Sequence, residues 1–133
     1  MLERNRRCYE RYPGDRERVL AIHRLADAGE IVLPGGDVLT PRMFRQLGLM
    51  LGMSDGAEKL HYLLELPPTS PAFLHDVEAA LPFARNPIFA VIHEACYADG
   101  CTTGWSAERL RPAGFDSPER FTGEHVYSWM FED

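Results

Sequence analysis

Apolar positions along this chain recur at helical spacing in short runs, each stopped by proline or by a cluster of small polar residues. The first segment, about Leu2 to Arg11, is polar nearly all round and stops at Tyr12-Pro13, because the residue before proline disfavours the helical region. Asp15 is the expected cap of a second helix reaching Ala28, with Val19, Ile22 and Ala26 turned inward and Gly29 ending it. Thr40-Pro41 combines an N-cap with proline at the first helical position. Met43, Phe44, Leu47, Met50 and Leu51 follow as a stripe that predicts a helix closed by Gly52. Asp55 to Glu58 has capping-box spacing and opens the next helix, with Leu60, Leu63 and Leu64 inward and Pro67-Pro68 as its stop. Ser70-Pro71 starts another, as does Asn86-Pro87, where Ile88, Val91, Ile92 and Ala95 form the predicted core stripe. A last short helix is expected from about Gly123 to Phe131.

One stretch reads differently. Glu30 to Leu33 and Asp37 to Leu39 flank Pro34-Gly35-Gly36, and glycine supplies the positive φ that a tight turn needs. The predicted class is therefore mainly α: about six to seven short helices with one small β-hairpin near residues 30-39, lying against the helices because a two-stranded ribbon is marginal alone.

Size and charge narrow the function classes. The chain has 133 residues, 45% of them hydrophobic and 26% charged, which is an ordinary globular composition for one domain over 1-133. A large enzyme with separate cofactor and substrate domains does not fit in it. The net charge of −6 argues against nucleic acid, since counterion release needs a basic surplus. The N-terminal arginines Arg4, Arg6, Arg7, Arg11, Arg16 and Arg18 are interleaved with Glu3, Glu10, Asp15 and Glu17, the pattern of a solvated helix face. Cys8, Cys96 and Cys101 show no framework spacing, which with the lack of a signal-like run gives a reduced, cytoplasmic setting as the expectation. No stretch has the ~18–20 apolar residues of a membrane span.

Several residues could carry chemistry. Gly52-Met53-Ser54-Asp55-Gly56 matches the G-x-S-x-G nucleophile elbow, but that elbow needs a strand before the serine, and the ten preceding residues are helix-periodic. A helix-ending glycine followed by the next N-cap explains the pattern. His93-Glu94 begins like the H-E-x-x-H zinc signature, yet Tyr97 stands where the second histidine belongs, so no metal site is expected. No cofactor is called for either. Glu94 shares a helix face with Ala90 and Tyr97, among apolar and aromatic neighbours and few basic ones. A carboxylate in such a wall is a good receptor for a cation, because desolvation strengthens a charge-assisted hydrogen bond. His61 and Glu65 lie one turn apart, away from Leu60 and Leu64. The terminal Tyr127, Trp129, Met130 and Phe131 must pack onto this domain or onto something else.

These residues together suggest a family. The stretch Asn5-Arg6-Arg7-Cys8-Tyr9-Glu10-Arg11-Tyr12-Pro13-Gly14-Asp15, the segment Leu33-Pro34-Gly35-Gly36-Asp37, Leu47-Gly48 with Leu51 to Gly56, His93-Glu94-Ala95-Cys96-Tyr97, Gly104-Trp105 with Ala107-Glu108-Arg109, and Phe121 to Tyr127 with Trp129-Met130-Phe131-Glu132 resemble the cap region of proline iminopeptidases. These are prolyl aminopeptidases of the α/β-hydrolase superfamily. The resemblance runs nearly end to end and implies a helical cap-type domain. The hydrolase core, with its serine, aspartate and histidine, corresponds to no residue here, so the chain alone is expected to be inactive.

In that family the cap holds the free N-terminal ammonium of the substrate on acidic side chains, with aromatic and apolar groups around the prolyl ring. Carried over by position, the resemblance implies Glu94 as the first amine-binding carboxylate, Glu65 as the second with Glu124 as its rival, and Tyr97 beside them. Two carboxylates suit an ammonium with three donors, and an amide-capped substrate would leave both unpaired. The implied partners are a hydrolase core and a peptide with N-terminal proline, with self-association through the terminal aromatics as a further expectation. A different reading is a free-standing, non-catalytic helical module that binds a protein or a small amine through the same acidic wall. A third, a miniature hydrolase using Ser54, Asp99 or Asp116, and His125, has the right chain order but lacks the strands to hold those groups.

Overall fold

The computed structural model describes residues 1–81, 83, 86–123 and 125–131, and of Tyr97 the backbone alone. Among the described residues the fold is mainly helical: α1 (Leu2–Arg11), α2 (Asp15–Asp27), α3 (Pro41–Arg45), α4 (Gly56–Glu65), α5 (Pro71–Ala80), α6 (Pro87–Tyr97) and α7 (Ser106–Arg109), with 3₁₀ turns at Gln46–Gly52, Ala113–Phe115 and Ser128–Phe131. No helix among the described residues is long and apolar enough to cross a membrane.

Where caps and stripe agree, sequence and structure coincide. Thr40 Oγ1 accepts from the Met43 amide and Ser70 Oγ from the Phe73 amide, each satisfying an N–H that the first helical turn leaves unpaired. Val19, Ile22 and Ala26 of α2 and Leu60, Leu63 and Leu64 of α4 are buried with Phe44, Leu47, Phe73 and Val77 in one core.

The β-hairpin near residues 30-39 does not form. Among the described residues only one bridge, Val32 to Val38, links the two sides of the turn. Three backbone hydrogen bonds, Leu33 to Asp37, Gly36 to Leu33 and Leu39 to Ile31, make a turn and not a ladder. Pro34 and Pro41, which have no N–H, bracket too few residues for more pairs. The alternation still works, for Ile31, Leu33 and Leu39 are buried against the helices while Val32 and Val38 face solvent.

Other details also differ from expectation. Gly14 stands at the N-cap of α2, and Asp15 is buried in its first turn. The stripe after Thr40 leaves α geometry at Gln46 and continues as a 3₁₀ turn, which Gly48 and Gly52 favour by weakening helix propensity. Asp55 makes no side-chain cap bond and pairs with Lys59 at 2.8 Å. The last helix is confined to the 3₁₀ turn at Ser128–Phe131.

Residues 119–123 are tied back onto the first half of the chain. Asn5, fully buried, donates Nδ2 to the Phe121 carbonyl at 2.9 Å and accepts the Phe121 amide on Oδ1 at 2.8 Å. The Thr122 amide donates to the Arg45 carbonyl at 2.9 Å, and the Tyr9 hydroxyl to the Glu119 carbonyl. Gly48 admits this crossing, since a Cβ there would lie 1.9 Å from the Thr122 carbonyl oxygen.

The largest difference lies in α6. Of the predicted core stripe, Ile88, Val91 and Ile92 are 69%, 64% and 49% exposed and Ala95 is exposed too, while Ala90 and His93 are buried instead. The inward face is set by aromatic packing: the His93 ring lies edge-on to Phe89 at 5.1 Å and to Phe83 at 6.0 Å. Packing the buried His93 against the half-buried Phe83 and Phe89 turns the aliphatic stripe outward.

Candidate functional site

The rotation of α6 decides where Glu94 falls. Half-buried beside His93, it lines a cavity of about 850 Å³ whose other walls include Leu2 of α1, Ala107 of α7, Leu110, Phe115 and His125. Glu94 also borders a smaller cavity of about 330 Å³ with Cys101, Thr103 and Trp105. Among the described residues no hydrogen-bonding or ion-pairing partner reaches its carboxylate. α7 itself is entered through Gly104 and Trp105, a pair in the left-handed region at φ 59° and 55°.

A second carboxylate, that of Glu3, lines the same cavity, a position sequence reasoning did not single out. Its charge is already answered: Arg6 and Arg7 donate to it at 2.6–2.8 Å. The Arg6 hydrogen bond, then that of Arg7, holds its carboxyl down at about 2. His125 completes the polar lining. Its Nδ1 lies 3.0 Å from the Tyr127 hydroxyl, and its affinity for a proton is lowered, first by burial and then by the positive N-terminus and His93. One wall therefore combines an unpaired carboxylate, a neutralised one and apolar surface.

Glu65 is placed elsewhere. On α4 it lies 3.5 Å from Arg18 and 3.6 Å from His61, and it does not line the Glu94 cavity. The His61 ring stacks on Tyr12 at 3.9 Å and sets Nδ1 3.0 Å from the buried Asp15 carboxylate, which Arg18 also engages at 2.7 Å. Glu65 thus sits at the edge of a network joining α2 to α4, and the structure does not bring it together with Glu94. Glu124 and the Tyr97 side chain lie outside the described residues, although Gly123 and His125, on either side of Glu124 in sequence, both line the cavity.

The elbow-like motif is a helix junction. Gly52 ends the 3₁₀ turn, exposed Ser54 follows, and Gly56 begins α4 where a Cβ would meet the Met50 carbonyl oxygen at 1.6 Å. Close backbone approach explains that glycine without a nucleophile. The other members of the miniature-hydrolase reading are engaged separately, Asp116 with Arg111 and His125 with Tyr127. Among the described residues no group of three or more His, Cys, Asp or Glu side chains could hold a metal.

The terminal aromatics are packed more than exposed. Tyr127 is buried and stacks on Trp129, and Phe131 rests against Trp105 at 5.3 Å. Phe131 is nonetheless exposed, as are Ile88, Val91 and Ile92 of α6.

Among the described residues the chain is thus mainly helical, with Glu94 and Glu3 lining one partly apolar cavity and the elbow-like motif spent on a turn. Comparison with known proteins supplies the class. The chain is 38% identical over 142 residues to a proline iminopeptidase of Aeromonas sobria, and 33% identical over 145 residues to the proline iminopeptidase aneH of Aspergillus aculeatus. These alignments cover 98% and 97% of this chain but 33% and 32% of the two relatives. No protein-family model matches. The chain is a proline iminopeptidase-like sequence, and it spans about a third of the length of the curated relatives it matches.

Proposed function

We propose that this chain is the helical cap of a proline iminopeptidase-like serine hydrolase and that its Glu94 cavity receives the free ammonium of a peptide beginning with proline. The observation that carries the reading is the Glu94 carboxylate, half-buried in a largely apolar wall and without a hydrogen-bonding or ion-pairing partner among the described residues. There an ammonium gains charge-assisted hydrogen bonds strengthened by partial desolvation, and the apolar wall takes the ring. The similarity to two proline iminopeptidases supports the same substrate class.

For the second carboxylate the reading sets Glu65 aside, because Arg18 and His61 hold it and it does not line the cavity, which leaves Glu124, the rival that the resemblance implies. Glu3 is not a candidate, since its charge is answered by the hydrogen bonds from Arg6 and Arg7. Catalysis belongs to a separate α/β-hydrolase core, in a cytoplasmic enzyme. The exposed Ile88, Val91 and Ile92 of α6 are the face offered to that core, since the relatives extend to about three times this length.

The test replaces the matching third of the Aeromonas sobria enzyme with this chain and compares proline anilide with its N-acetyl form. Selectivity for the free amine that collapses on Glu94→Gln supports the assignment. Unchanged selectivity removes it.

A further inference from the structure

Across α7 from the Glu94 cavity lies a second one, of about 200 Å³, with the opposite charge. Arg42 and Arg45 of α3 face Arg111 across it, and Tyr127 and Trp129 supply aromatic wall. We propose that this arginine-framed cavity binds a monoanionic carboxylate carried on an apolar carbon, as at the C-terminus of a short peptide.

The arginines have different commitments. Arg45 is fixed in place: its Nε donates to the Arg120 carbonyl at 2.7 Å and its Nη2 to the Phe115 carbonyl. Carbonyls orient a guanidinium without neutralising it. Arg111 holds Asp116 through Nη2 at 2.6 Å. The Arg42 guanidinium lies over the Trp129 ring, 5.8 Å from its centroid, and among the described residues no carboxylate is within ion-pairing distance of it. Glu108, the acid lining this cavity, is occupied by the amide and hydroxyl of Ser128 at 2.9 and 3.0 Å. The proton affinity of Arg45 is lowered, first by burial and then by the charge of Arg111, as expected where positive charge is in local excess.

Among the described residues that line the cavity or pair with its lining, three guanidiniums against Glu108 and Asp116 leave a surplus of one positive charge, in a chain whose formal net charge is −6. One surplus charge suits a monoanion better than a phosphate dianion. Planar guanidinium donors match the two oxygens of a carboxylate, and Trp129 offers apolar surface to the carbon behind them. Since none of these groups lines the Glu94 cavity, the two assignments fail independently.

The experiment is an NMR titration of the 133-residue chain with N-acetylglycine and N-acetylglycinamide, which both lack an amine and differ only in the carboxylate, read at the Trp129 indole. Saturable perturbation by the acid, none by the amide, an affinity lowered about tenfold in Arg42→Gln and in Arg111→Gln, and no change in Glu94→Gln support the site. Both arginines reach the rim, so these variants are checked against the unfolding temperature of the parent. Equal responses to acid and amide, no response to either, or inorganic phosphate binding more tightly than the acid would overturn the proposal.

Discussion

Asn5 and Phe121 bond each other twice, side-chain amide to backbone peptide, across most of the chain. The pair does for α1 and residues 119–123 what a strand ladder does in a sheet, and it brings Gly123 and His125 to the wall that Leu2 and Glu3 share with Glu94. Asn5→Leu keeps the volume and strands a buried N–H and C=O. The expected loss of stability is about 3 kcal/mol, read by urea unfolding. Asn5→Asp keeps the bond from the Phe121 amide but sets a buried carboxylate against the Phe121 carbonyl, so it should cost at least as much near neutral pH and less where the carboxyl is protonated.

Gly48 makes the same crossing possible from the other side. Gly48→Ala puts a methyl group 1.9 Å from the Thr122 carbonyl oxygen and 2.6 Å from the Phe121 Cβ, so residues 121 and 122 must move. A destabilisation on the order of 3 kcal/mol is expected. Gly14→Ala, where nothing lies within 4 Å, is the control and should be nearly neutral.

His125 makes stability depend on pH. Burial keeps its folded proton affinity below the ordinary 6.5, so between the two values the unfolded chain binds more protons than the folded one. Stability is therefore full above about 6.5 and falls as the pH drops through the folded value. Chemical unfolding of the parent and of His125→Gln across that interval should show a shallower pH slope in the variant.

The Asp15–His61 contact gives Glu65 a different expected phenotype from Glu94. Glu65→Gln weakens partly exposed ion pairs with Arg18 and His61, and its cost should stay below about 1 kcal/mol with no effect on amine binding. Equilibrium unfolding and prolinamide titration of the same variant separate the two roles.

Much of the helical core was legible because independent signals agreed. In α4 the stripe and the proline stop define one element, and at α5 the Ser70-Pro71 cap marks the start that forms. α6 misled because its periodicity admits two inward faces, and the choice fell to the ring packing of Phe83, Phe89 and His93, which a hydropathy stripe does not weigh. Asn5 was hidden for a related reason: a polar residue on a polar helix reads as exposed until its distant backbone partner is known. Glu94 stood out because its sequence neighbours are apolar. Glu3 did not, since entry into the same cavity depends on how residues 119–123 return to α1, and Glu65 looked equivalent to Glu94 until Arg18 and Asp15 were seen beside it.

The most direct measurement is an NMR titration of the chain with L-prolinamide and N-acetyl-L-prolinamide, following side-chain carboxyl signals assigned to Glu94. Saturable perturbation of Glu94 by the free amine alone, abolished in Glu94→Gln and retained in Glu65→Gln, is the expected result. Equal perturbation by the blocked amide, or binding of the free amine that survives Glu94→Gln, would contradict the assignment of this cavity to an N-terminal ammonium.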